Sequence, residues 1–269
     1  MQSQIGYPQD ENFKQIIRAG KKKGLKNCPV NVKDVSNSLA IYFPNRPILR
    51  GTKTRENPDR VTEGRIEIPR DFYRLHKFVT LSADLMFVGG LPFLITSSRH
   101  IKSANAEFVP TRTAQQLAKS LMKVVLMYGR GGFVVNLALI DTEFVKIKDL
   151  CGLVEVNTTA AQEHVPKVEC MIRTVKQRLR SITSDFPFSP IPKMVLIHSV
   201  YHVIMMLNAF PQDQGVTGGF SPRELVTGRT INYLRDFRAT VGAYAMVTNG
   251  QDNQTHPCIT LGASGNRQG

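Results

Sequence analysis

The run from Phe78 to Arg99, FVTLSADLMFVGGLPFLITSSR, restricts the fold more than any other part of this chain. Val79, Leu81, Ala83 and Leu85 alternate with Thr80, Ser82 and Asp84. Period-two alternation describes a half-buried strand with one apolar and one polar face. Gly89-Gly90 then supplies a two-residue turn, because glycine reaches positive φ at no steric cost. Leu91 to Thr96 is the expected return strand. Asp84 sits mid-strand, where aspartate is disfavoured. It reads either as a surface carboxylate or as one member of a converging acidic site.

The next segments alternate in period. Ala104 to Val109 predicts a third short strand, ended by Pro110. Thr113 is placed to cap a helix in which Leu117, Leu121, Val124, Val125 and Tyr128 recur at helical spacing. Gly129, Gly131 and Gly132 end that helix. FVVNLALID is almost continuously apolar and predicts a strand buried on both faces of a mixed sheet. It closes at Asp141, which reads as an N-cap of the short helix through Ile147, as an acidic ligand, or as both. Leu153 to Val156 predicts a fifth strand.

A long helix is expected from about Glu163 to Thr183. Val165, Val168, Ile172, Val175, Leu179 and Ile182 form its apolar seam. Glu169, Arg173, Lys176 and Arg180 share a flank beside that seam, so Glu169 either pairs with Arg173 on the surface or heads a functional basic stripe. Pro187, Pro190 and Pro192 interrupt the chain. Lys193 to Phe210 is apolar nearly all round and, at its length, reads as a packing helix rather than a membrane span. His198 and His202 have a zinc-like spacing, but no Glu follows His198 and no third ligand is near, so zinc is not expected. Ser221-Pro222-Arg223-Glu224 opens one more helical turn. Beyond Arg238 the sequence is rich in turn residues.

The first seventy residues are less regular. Phe13, Ile16 and Ile17 predict a short amphipathic helix. Val32 to Phe43 predicts another, with Val35, Leu39 and Phe43 at helical spacing and Asn31 as its cap. GTKTRENPDRVTEGRIEIP is a basic, proline-punctuated connector. Here composition bears on function: a formal net charge of +14 favours a polyanionic partner, most simply nucleic acid. The four cysteines, Cys28, Cys151, Cys170 and Cys258, are far apart and form no C-x-x-C pair. They read as reduced thiols without a disulfide partner, and the N-terminus lacks a secretory pattern, so an intracellular protein is expected.

The expected order is strand, strand, strand, helix, strand, short helix, strand, long helix. First and fourth strands can be neighbours in such a sheet, which would bring Asp84, Asp141 and Glu169 together. Hard oxygen ligands of this kind suit Mg²⁺. With these elements the chain resembles the integrase core of copia-type long-terminal-repeat retrotransposons, in the branch found in algal and diatom genomes. LSADLMF resembles the family's first-aspartate strand, LALIDTEF its second acidic element, and HVPKVECMIRTVKQRLR its catalytic-glutamate helix. NAFPQD and FSPRELVTG resemble the segment after the core. NCPVNVKDVSNSLAIYFPNRPILRGTKTR looks like the pre-integrase region, and GASGNRQG like the start of a small β-rich element.

The resemblance implies an α/β, ribonuclease-H-like mixed five-stranded sheet flanked by helices, with irregular terminal segments. It implies three parts: a pre-integrase-like segment and basic linker over 1–70, the core over 71–235, and a truncated β-rich element over 236–269. It implies a retrotransposon polyprotein fragment that trims DNA 3′ ends and joins them to target DNA. Asp84, Asp141 and Glu169 would be the catalytic and metal-binding triad for Mg²⁺ or Mn²⁺, and Arg173, Lys176 and Arg180 would bind nucleic acid. The implied partners are the retroelement ends, the target duplex and further copies of the chain, with no membrane. A nuclear location follows from the substrate. The alternative reading is an inert retroelement remnant that holds nucleic acid by charge alone.

Overall fold

A computed structural model describes residues 1–23, 28–43, 45, 47–48, 66–140, 147–152, 154–157, 161–212, 219–237, 239–248 and 255–262. The chain divides into two compact units, residues 1–59 with 244–259, and residues 60–243 with 260–269.

The first unit contains helices α1 (Asp10–Lys23) and α2 (Val32–Tyr42) and an antiparallel pair, β6 (Tyr244–Thr248) and β7 (Thr255–Ile259). The numbers of that strand pair follow chain order. Phe13, Ile17 and Val35 form a small core. Asn31 caps α2 as expected, and Asp34 returns the hydrogen bond to complete a capping box. Two residues of these apolar patterns lie outside that core. Ile16 is partly exposed, and Phe43 is 76% exposed because the chain leaves the helix there with positive φ. Most of the basic connector lies outside the described residues.

The second unit is built on five strands: β1 (Phe78–Val88), β2 (Leu91–Ser98), β3 (Ala104–Phe108), β4 (Val134–Ile140) and β5 (Glu155–Asn157). Their order is β3-β2-β1-β4-β5. The first three strands run antiparallel, while β4 and β5 run parallel to β1. This is a mixed five-stranded sheet flanked by helices, the arrangement that the resemblance implied. Gly89 and Gly90 adopt φ of 54° and 78°, the left-handed pair that a tight hairpin turn requires.

Helices cover both faces. Further elements are α3 (Arg70–His76), α4 (Ala114–Arg130), α5 (Ala161–Ser184), α6 (Lys193–Ala209), α7 (Pro222–Thr227) and α8 (Tyr233–Asp236). On one face Leu81, Ala83, Ala138 and Ile140 pack against Leu121, Val124 and Tyr128 of α4, with Leu225 and Val226 of α7 joining them. On the other face Met86, Phe93 and Ile95 pack against Val175 and Leu179 of α5 and Ile197, Val200 and Val203 of α6. Thr113 caps α4, accepting from the Gln116 N–H at 3.3 Å. Ser221 and Glu224 form a second capping box around α7.

Two strand expectations are corrected. The Thr80–Ser82–Asp84 side of β1 is not an open polar face, because α5 and α6 cover that side and Met86 is 1% exposed. Conversely, β4 is buried on both sides only over Ala138, Leu139 and Ile140. Val134 and Asn136 are exposed, and the register against β1 shifts between Val79 and Thr80 so that Asn136 has no partner on that strand. The outer strand β3 is sealed by α6. Asn208 bonds both the N–H and the C=O of Ala104, at 2.8 and 2.6 Å, and the Tyr201 hydroxyl accepts from the Phe108 N–H at 3.2 Å. Those side chains occupy backbone groups that an edge strand would otherwise offer to another chain.

Candidate metal centre and nucleic-acid interface

Alternation along β1 puts Asp84 on the same face as Met86. Met86 belongs to the core formed with α5 and α6, so Asp84 lies on the face that carries those helices. Its backbone pairs with Ile95 of β2, and it is partly buried. The carboxylate Oδ1 accepts from the Leu85 N–H at 2.6 Å. It is a partly buried carboxylate with a local hydrogen bond, which is compatible with either sequence reading.

On the other side of β1, the parallel register pairs Ala83 with Ile140. Ala83 directly precedes Asp84, and Ile140 directly precedes Asp141. Asp141 itself lies outside the described residues, and so does the capping role expected for it.

Glu169 is carried by α5. The preceding residue, Val168, is 2% exposed, and Val175 and Leu179 further along are buried against the sheet. Those anchors turn Glu169 outward. At about 100° per residue, Arg173, Lys176 and Arg180 fall within about 40° of Glu169 around the helix. All four are exposed. Among the described residues Glu169 has no ion-pair partner, so the surface pairing with Arg173 does not form. The flank is therefore a row of three cations with one carboxylate at its head, open to solvent. Such a row suits a phosphate backbone, since Arg and Lys supply donors and no compensating acids follow.

The structure thus brings Asp84 and the helix bearing Glu169 to one face of the sheet, while the Glu169 side chain itself is turned away from that sheet. Among the described residues no three of His, Cys, Asp and Glu converge as a metal-holding group; the third expected ligand is the one outside them. The donor chemistry, carboxylate oxygens on a rigid strand and helix, fits a hard divalent cation. The two histidines singled out by their spacing have separate surroundings on α6. His198 stacks edge-on against Tyr201, and the half-buried His202 has an Nδ1 with no hydrogen-bond partner. Burial pushes the His202 imidazole below its ordinary pKa. No described helix is long and apolar enough to cross a membrane.

Sequence reasoning missed the opposite flank of α5, where Cys170, Thr174 and Arg178 line a cleft with the end of β2 and the end of α6. Their spacing of four was visible, but the partner surface came from segments far away in sequence.

No family model matches the chain, and no curated protein matches it. Among solved structures, it is similar to the crystal structure of the catalytic core domain of BIV integrase. The two are 18% identical, the match covers 55% of this chain and 92% of that one, and the TM-score is 0.40.

Proposed function

We propose that the second unit is the core of a retrotransposon DNA integrase of the copia type, acting on DNA 3′ ends and then on a target duplex. One observation carries the reading. A carboxylate, Asp84, lies on the α5 face of the central strand, and α5 carries Glu169 at the head of an exposed basic row. The β1–β4 register supports it, since the residues preceding Asp84 and Asp141 are paired. In this reading Asp84, Asp141 and Glu169 hold Mg²⁺ or Mn²⁺. Bound there, the cations supply activation of the attacking oxygen and stabilisation of the leaving oxygen in phosphodiester chemistry.

The protein's own groups orient the substrate. Arg173, Lys176 and Arg180 hold successive phosphates and fix the DNA along α5. The closed sheet beneath keeps Asp84 rigid, because its neighbours Ala83 and Met86 are locked in opposite cores. Residues 1–70 act as a pre-integrase-like segment and linker, and 236–269 as the start of a β-rich element. The chain works as a homo-oligomer in the nucleus, where its substrate lies.

The test is a strand-transfer assay with the full chain, Mg²⁺ or Mn²⁺, and labelled duplexes carrying the terminal sequences of the parent element. Shortened 3′ ends and joined products, lost in Asp84→Asn, are expected. A folded protein that gives no product with either metal overturns the reading. The exposed basic row also favours the charge-only alternative, which predicts DNA affinity without chemistry. In both readings, Arg173→Ala with Lys176→Ala lowers the slope of log affinity against log salt by about two.

A further inference from the structure

Two histidines meet at a place away from Asp84 and Glu169. His76 ends α3, and His100 stands in the turn between β2 and β3. Their ring centres are 6.1 Å apart, with the planes tilted by 38°. Each is set by a neighbour in the same apolar cluster: Phe72 on α3 and Ile101 beside His100 are both buried there. The His76 ring rests on the Phe72 ring, centre to centre at 4.9 Å. The turn is held by its backbone, where the Ser98 N–H donates to the Ser103 carbonyl and the Arg99 N–H to the Thr80 carbonyl, both at 3.0 Å. The fold, not a local motif, therefore brings the two rings together. His76 is partly buried and His100 is exposed, so the pair sits at the surface. Among the described residues neither imidazole makes a hydrogen bond, and no third His, Cys, Asp or Glu joins them in a metal-holding group.

We propose that His76 and His100 together bind a divalent transition cation of the Zn²⁺ type. Imidazole nitrogen suits Zn²⁺, Cu²⁺ and Ni²⁺, whereas Mg²⁺ prefers oxygen. Two imidazoles on one tetrahedral ion, with Zn–N of about 2.0–2.1 Å, hold their ring centres about 5 Å apart, so the pair has to close by about 1 Å. Rotation of the exposed His100 side chain supplies that movement, while His76 stays seated on Phe72. The other coordination positions are left to water, which makes the ion exchangeable. Arg74, Lys77, Arg99 and Lys102 lie within two positions of the pair in sequence, so the affinity comes from nitrogen lone pairs and not from opposite charge. A bound ion would join the end of α3, which leads into β1, to the turn that leads into β3. Its nitrogen ligands set it apart from the carboxylates Asp84, Asp141 and Glu169. The inference does not depend on the integrase reading.

The probe is Zn²⁺ alone, titrated at neutral pH into the folded full chain while diethyl pyrocarbonate modifies accessible histidines. Each histidine is followed by mass spectrometry. Saturable slowing of at least fivefold is expected at both His76 and His100, and of less than twofold at His198 on α6. Mg²⁺ at the same concentration is expected to leave both rates unchanged. His76→Gln and His100→Gln test whether one ion is shared: in each variant Zn²⁺ should no longer protect the remaining histidine. The cooperative melt of each variant is checked first, and the exposed His100→Gln carries the test if His76→Gln does not fold. Protection that survives in a folded variant would mean separate binding and overturn the proposal. Absence of protection in the wild type, or protection of one histidine only, would overturn it as well. Asp84→Asn is expected to keep the protection in full; loss of protection there would assign the Zn²⁺ effect to the carboxylates and overturn the proposal. Failure of strand transfer, by contrast, would leave these results unchanged.

Discussion

The two faces of the central sheet are built from one strand, and they differ in what they tolerate. On the α4 face, β1 contributes Val79, Leu81 and Ala83, all buried in a continuous apolar cluster. On the α5 face it contributes Ser82, Asp84 and Met86, where polar groups share a surface with a packed core. Alternation lets a single strand present a continuous apolar surface on one side and a polar-bearing surface on the other. The lesson is that a carboxylate can be held rigidly without being fully buried, provided its immediate neighbours are locked in place on both faces.

The largest expected effect separates the faces by kind. Asp84→Asn keeps the shape and removes the charge, so on the proposed function strand transfer should fall by about a thousandfold, several kcal/mol of transition-state stabilisation. Its midpoint in urea should stay close to wild type. A large loss of stability with Asp84→Asn would break the comparison, since the α5 face would then also be mainly structural. Next, Leu81→Ala on the α4 face should cost about 2–5 kcal/mol, read from urea unfolding, because Leu81 is fully buried and the space cannot refill. Its residual activity per folded molecule should be near normal.

A smaller effect concerns Tyr128, buried on the α4 face, whose hydroxyl donates to the Ser103 carbonyl at 3.3 Å. Tyr128→Phe should cost about 1 kcal/mol at neutral pH. Burial raises the Tyr128 pKa, so the folded state holds its proton more tightly than the unfolded chain. That difference makes stability fall as pH rises above about 10, and the variant should flatten that limb. The smallest effect sharpens the contrast from the acid side. His202 on α6 has a lowered pKa through burial, so the unfolded chain takes up protons first. The stability is present above about pH 6.5 and is lost as pH falls through that region. His202→Gln should flatten the acid limb of a melting-temperature profile and leave the alkaline limb alone.

These faces were only partly legible in the sequence. The β1–β2 hairpin, the Thr113 cap and the seam of α5 were readable because each depends on residues within a few positions of one another. Position 84 could be singled out because aspartate breaks the preference of a strand. The cover over Asp84 was not readable. Thr80, Ser82 and Asp84 look like a solvent face, and only the arrival of α5 and α6 makes that side an interior. The exposure of Asn136 was hidden too, since it lies where the register of β4 against β1 shifts, which an apolar run does not announce. The row Arg173, Lys176 and Arg180 was visible from spacing alone. The cleft behind it was not, because Arg99 and Leu207 reach it from distant segments.

The contact between Gly131 and α7 bears on the order in which the molecule can assemble. A side chain at Gly131 would strike the backbone carbonyl of Val226, so the end of α4 and the short α7 helix meet backbone to backbone. Leu225 and Val226 also complete the α4-side cluster. That cluster therefore closes with residues from late in the chain, after the strands, α5 and α6 have been synthesised. Contacts between such distant segments carry a larger loop-closure cost and form slowly. Until α7 docks, an emerging chain shows part of its apolar interior to solvent, so the side of the sheet remote from Asp84 is the last to be sealed during synthesis.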